Sequence, residues 1–118
     1  MEEVNFYEDV VDMIGTFTEK FRGSGYVLNN PLFWEMKQIC PLIEVLAEEN
    51  GSEAITVSVN EQTKELQINL FGCDLVVDCR DENVFFQLIR LAKSFRFSKN
   101  QMEQLVVSFS FGEMWIEG

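Results

Sequence analysis

The hydrophobic period of this chain changes three times, and those changes constrain its fold more than any single motif does. Up to Asn50, apolar residues recur three and four positions apart; from Ile55 they recur at every second position. From Val84 the spacing is helical again, and from Phe95 it alternates to the end. An alternating strand has one apolar face to hide, and the helical blocks are what this chain has to cover it.

Within the first block, Phe6, Val10, Ile14, Phe17 and Phe21 form one helical stripe, with Glu8, Asp9, Asp12, Thr16 and Glu19 on the other side. Asn5 is placed to cap this helix, with Glu8 three residues on. Gly23-Ser24-Gly25 ends it. A second helix opens at Asn30-Pro31, a cap followed by proline at the first helical position. It carries Leu32, Met36, Ile39, Ile43 and Leu46, and Pro41 in its middle predicts a kink or a split into two. Asn50-Gly51 is its stop.

Three alternating runs follow: Ile55, Val57 and Val59; Leu66, Ile68 and Leu70; Leu75 and Val77. They read as a meander with turns at Asn60 to Thr63 and at Phe71-Gly72. Asp81 caps a third helix running to about Lys93. Its apolar residues (Val84, Phe85, Phe86, Leu88, Ile89, Leu91, Ala92) cover most of its circumference and predict the central, most buried helix. Phe95 and Phe97 flank Arg96 in strand-like alternation. Leu105, Val107, Phe109 and Phe111 form a further strand, and Met114-Trp115-Ile116 a short last one. The expected fold is therefore α+β, one domain over 1–118, in the order α-α-β-β-β-α-β-β with room for one extra short strand near Phe97. It has an antiparallel sheet with helices packed mainly on one face.

Function is constrained chiefly by exclusion. The 118 residues include 20 Asp and Glu against nine Lys and Arg, a net charge of -11, and no histidine. Direct binding to nucleic acid phosphates needs clustered bases, so none is expected. Catalysis through a histidine base and metal binding through histidine are both closed. The cysteines (Cys40, Cys73, Cys79) are odd in number and lack C-x-x-C spacing, which predicts reduced thiols in a cytoplasmic protein without a metal. No secretory signal is expected at the acidic N-terminus, and no apolar run approaches the roughly 20 residues of a membrane span. Asp74 and Asp78 share a strand face and form a carboxylate pair, but no motif with a mechanism accompanies them. No catalytic residue, cofactor or metal is expected.

What remains is the charge itself. Residues 1–79 hold 15 acidic and four basic side chains, whereas residues 80–118 hold five of each. In one reading, the acidic residues are the solvated faces of two helices. In the other, they form a field that draws in a basic partner. A strand pairing across Phe71-Gly72 would set Asn69 opposite Asp74 and Glu65 opposite Asp78, and the repulsion of the latter pair would be relieved by a cation or basic partner, or by nearby Lys64 and Arg80. Arg90, Lys93, Arg96 and Lys99 cluster near Phe95 and Phe97, either as a site or as internal ion pairs and a dimer contact. Trp34 and Trp115 are each placed in the core or at an interface.

The expected function is that of a non-enzymatic acidic inhibitor or neutralising partner occupying a basic, nucleic-acid-binding surface of another protein. Glu8, Asp9, Asp12, Glu65, Asp74, Asp78 and Trp115 are the expected contacts. Size and charge make it analogous to phage anti-defence proteins of the anti-CRISPR kind, immunity proteins and antitoxins, without a shared motif. The chain would be a monomer or homodimer. The alternatives are a subunit that self-associates through a strand edge and Trp115, and a metal- or small-ligand-dependent carboxylate enzyme.

Overall fold

In the computed structural model, which describes residues 6–72 and 82–118, three helices and two antiparallel sheets share one apolar core. Helix α1 (Phe6–Arg22) buries Phe6, Val10, Ile14 and Phe21, the stripe its spacing predicts. It ends where Ser24 and Gly25 donate back to the carbonyls of Phe21 and Arg22, with Gly25 at φ 85°. Strand β1 (Tyr26–Leu28) is too short to carry a period and was not foreseen.

Helix α2 (Asn30–Glu49) has Asn29 rather than Asn30 as its cap residue, and it runs through Pro41 as a single element. The expected split is absent because Met36, Ile39 and Cys40 before the proline, and Ile43, Leu46 and Ala47 after it, are buried together. Burial of that order outweighs one lost helical hydrogen bond. Asn50 and Gly51, the latter at φ 64°, close the helix as predicted.

The main sheet has the order β2-β3-β5-β4. Its strands are β2 (Ala54–Asn60), β3 (Glu65–Phe71), β4 (Ser94–Lys99) and β5 (Leu105–Phe111). Leu66, Ile68 and Leu70 pair with Phe111, Phe109 and Val107, and all six are buried on the helix-covered face. The other face is polar: Ser108 Oγ donates to Asn69 Oδ1 at 2.6 Å, and Asn69 Nδ2 donates to Thr56 Oγ1 at 3.3 Å.

Strand β3 is flanked by β2 on one side and β5 on the other, and the expected pairing of Glu65 with Asp78 falls outside the described residues. The third meander run, with Cys73, Asp74, Asp78 and Cys79, lies outside the described residues, as do Asn5 and Asp81. Helix α3 (Glu82–Leu91) is not the most buried helix. Of its residues from Val84 on, Leu88 alone is buried, Phe86 is exposed, and α2 holds the larger buried set.

Strand β6 (Trp115–Glu117) returns to pair with β1, so the chain's last strand clasps the turn between α1 and α2. Trp115 packs on Phe21 at 5.0 Å and on Phe17 at 6.1 Å, and its Nε1 donates to Thr18 Oγ1 at 2.9 Å. The β2–β3 turn joins this clasp through Lys64, whose ammonium lies 4.7 Å from both the Phe21 and Tyr26 rings.

Candidate functional site

The expected contact residues separate into three groups. Glu8, Asp9 and Asp12 are exposed on α1, on the side away from buried Val10, Ile14 and Phe21. Glu19 continues the stripe, three turns beyond Glu8. Exposed Glu35, Glu44, Glu48 and Glu49 lie on α2.

Glu65 and Trp115 do not belong to this surface. Glu65 is only 13% exposed and accepts a 2.7 Å hydrogen bond from Lys93 Nζ. It also lies so close to Gly112 that any side chain there would overlap it. That hydrogen bond and the Glu65 charge hold the Lys93 ammonium above its ordinary range, with Glu113 adding in the same direction. Trp115 is 0% exposed and fully committed to the core, so it cannot anchor a partner. Asp74 and Asp78 fall outside the described residues.

The tryptophan that does face outward is Trp34, 60% exposed on the first turns of α2. Phe33 braces it edge-on at 5.9 Å, and the Lys37 ammonium sits 5.0 Å above its ring. Its position two residues from buried Leu32 and Met36 is the sequence signal for this, since that offset rotates a helical side chain off the apolar stripe.

The bases of this half are committed inside the molecule. Lys20 pairs with Glu61 and Arg22 with Glu19, while Lys37 and Lys64 lie over aromatic rings. Among the described residues, Glu8, Asp9, Asp12, Glu35, Glu44, Glu48 and Glu49 have no ion-pair partner. The acidic excess counted in the sequence is therefore an excess of uncompensated carboxylates on two helices.

Two depressions accompany these surfaces. A groove of about 540 Å³ between α2 and α3 is lined by Gln38, Pro41, Leu42, Gln87, Arg90 and Leu91. Arg90 is the one ionisable group that the described residues bring to it. A more polar hollow of about 400 Å³ beside the β1–β6 clasp holds Lys64, Glu113 and Glu117. No cluster of metal-ligating side chains occurs among the described residues. Cys40 is buried, and burial, with the nearby Glu44 charge, pushes its thiol up to about 12, so it is held as a protonated, unreactive group. Among the described residues no helix is long and apolar enough to cross a membrane.

No protein-family model, curated protein or solved structure matches the chain.

Proposed function

We propose that the chain is a non-enzymatic protein-binding module whose α1–α2 surface docks on a basic patch of another protein and neutralises it. The observation that carries this reading is the state of the charges on that half. Its four bases are engaged by internal partners, while seven helical carboxylates are left to solvent. A solvated helix face needs no such separation, because interspersed charge of both signs keeps a protein equally soluble. A predominantly acidic surface steers a basic partner and selects against others.

Trp34 supplies what the carboxylates lack. Charge at a rim accelerates encounter but adds little to lifetime, whereas a large aromatic that becomes buried on docking slows dissociation. A basic partner built to hold nucleic acid offers both bases for the carboxylates and apolar or planar groups for the indole. An inhibitor that occupies such a surface is the function this combination serves.

The test begins with capture and identification of the partner from the source cell, followed by rate measurements on the purified pair. The native chain should associate quickly at low salt and much more slowly at high salt. The triple variant E8K/D9K/D12K should associate slowly throughout and show a flattened salt dependence. Trp34→Ala should raise the dissociation rate and leave association nearly unchanged. Native affinity and salt dependence in the charge-reversed variant would refute the proposal.

A further inference from the structure

Strand β4 presents a different surface. It is hydrogen-bonded to β5 on one side, and among the described residues no strand pairs with its other side. All six of its residues are exposed. Two are phenylalanines, and they close a chain of ring contacts: Phe86 to Phe85 at 6.3 Å, Phe85 to Phe95 at 5.6 Å, and Phe95 to Phe97 at 5.4 Å. Phe86 is 48% and Phe97 45% exposed.

Arg96 and Lys99 stand on the same strand. Among the described residues neither has a carboxylate within ion-pair distance. Of the eight described bases, Lys20, Arg22 and Lys93 have a carboxylate partner. Arg96 and Lys99 are exposed three positions apart on one edge strand without one, so this edge carries positive charge that an acidic strand would complement.

The backbone states what shape that complement must take. The Asn100 amide donates to the Gln104 carbonyl at the hairpin end, which makes 100 and 104 a hydrogen-bonded position. Alternation then directs the amides and carbonyls of Ser98, Arg96 and Ser94 toward β5, and those of Phe95, Phe97 and Lys99 outward. An added antiparallel strand would take its hydrogen bonds at Phe95, Phe97 and Lys99. Arg96 would fall at a non-hydrogen-bonded position, where opposing side chains approach most closely.

We infer that the β4 edge receives an extended acidic segment of another protein, which adds to the sheet as a fifth strand. Its apolar residues face Phe95 and Phe97, and its carboxylates face Arg96 and Lys99. A second copy of this chain fits less well. Two β4 strands paired about Arg96 oppose two guanidiniums, and paired about Phe97 they leave all four bases without an acid. Charges on an edge strand are a means of refusing like-charged strands, and here they leave an acidic one admissible. The edge belongs to elements other than the α1–α2 face, so this inference and the proposed function stand or fall separately.

The probe is a fluorescein-labelled peptide of sequence TETVEVTS, with TKTVKVTS as its charge-reversed counterpart. A single-stranded thymidine oligonucleotide serves as competitor. Binding is read by anisotropy at physiological ionic strength, where a Debye length of about 8 Å screens the distant carboxylates. The native chain should bind the glutamate peptide, and R96E/K99E should weaken it about tenfold and take the lysine peptide instead. Amide exchange at Phe95, Phe97 and Lys99 should slow in the complex, which adhesion through charge alone would not cause.

Absence of binding, or equal binding of both peptides by the native chain, would overturn the inference. So would preferential binding of the oligonucleotide. Protection of the same amides in concentrated protein without peptide would assign the edge to a second copy and overturn it as well.

Discussion

Cys40 makes the packing of α2 measurable through pH. Its thiol is buried in the core and held protonated up to about 12, against an ordinary value of 9.0. In the unfolded chain the same thiol ionises near its ordinary value. Between those two values the unfolded state has lost a proton that the folded state keeps, so stability must fall as pH rises. At about pH 10.5 the difference amounts to roughly 2 kcal/mol, and at about pH 8 it is roughly zero. The sign matters. Below about pH 8 both states hold the proton and Cys40 contributes no pH dependence at all.

The comparison is between a C73S/C79S protein, which keeps Cys40 as its one thiol, and the same protein carrying Cys40→Ala. Urea melts across the alkaline range give two stability curves. The raised Lys93 ammonium also gives up its contribution as pH climbs through its folded pKa, but it does so in both proteins and cancels. The cysteine curve should fall about 2 kcal/mol further between about pH 8 and pH 10.5. A thiol reagent offers a second reading, since at about pH 8 native Cys40 should react at least about 1,000-fold more slowly than the unfolded thiol. Parallel curves, or ready reaction of the native protein, would show that the thiol is not held as described.

Three further outcomes test other joints of the structure. Thr18→Val removes the acceptor of the buried Trp115 indole and should cost about 1–3 kcal/mol in a urea melt, whereas Thr18→Ser should retain nearly full stability. Trp115→Ala should cost about 3–5 kcal/mol, and Trp34→Ala should stay within about 0.5 kcal/mol, which calorimetry would resolve. Lys93→Met strips a mostly buried carboxylate of its partner and should lower the melting temperature, with E65Q/K93M recovering most of the loss.

What could be read from the sequence and what could not divide along the range of the interactions involved. The stripe of α1 and the alternation in β2, β3 and β5 were legible because one residue's position fixes which face its near neighbours occupy. Strand order was not legible. Insertion of β5 beside β3 joins residues such as Leu70 and Val107, and no local pattern records it. The same blindness hid the Glu65–Lys93 pair, which spans 28 positions. Helix α3 misled for a different reason. A chain of apolar residues round a helix predicts burial only if something packs on every side, and Phe86 faces solvent. The two tryptophans show both cases at once. The offset of Trp34 from the α2 stripe could be seen in the sequence but left core and interface both open, whereas burial of Trp115 depends on α1, β1 and the β2–β3 turn converging on it.

The two candidate surfaces are opposite in charge, which raises the question of whether they serve each other. A head-to-tail contact of this kind is heterologous and would build a ring or an open filament. Backbone chemistry argues against it. The β4 edge directs both amides and carbonyls outward, and only an extended strand can satisfy both kinds of group. The carboxylates of α1 and α2 stand on helices, whose interior amides are already spent within the helix and can donate nothing to those carbonyls. A helical acidic face therefore meets the charge of Arg96 and Lys99 while leaving the edge carbonyls without donors. The surfaces match in sign but not in hydrogen-bonding form. If α1 and α2 meet a basic partner and the β4 edge an acidic strand, that mismatch disfavours one copy occupying another and leaves each surface to a different partner.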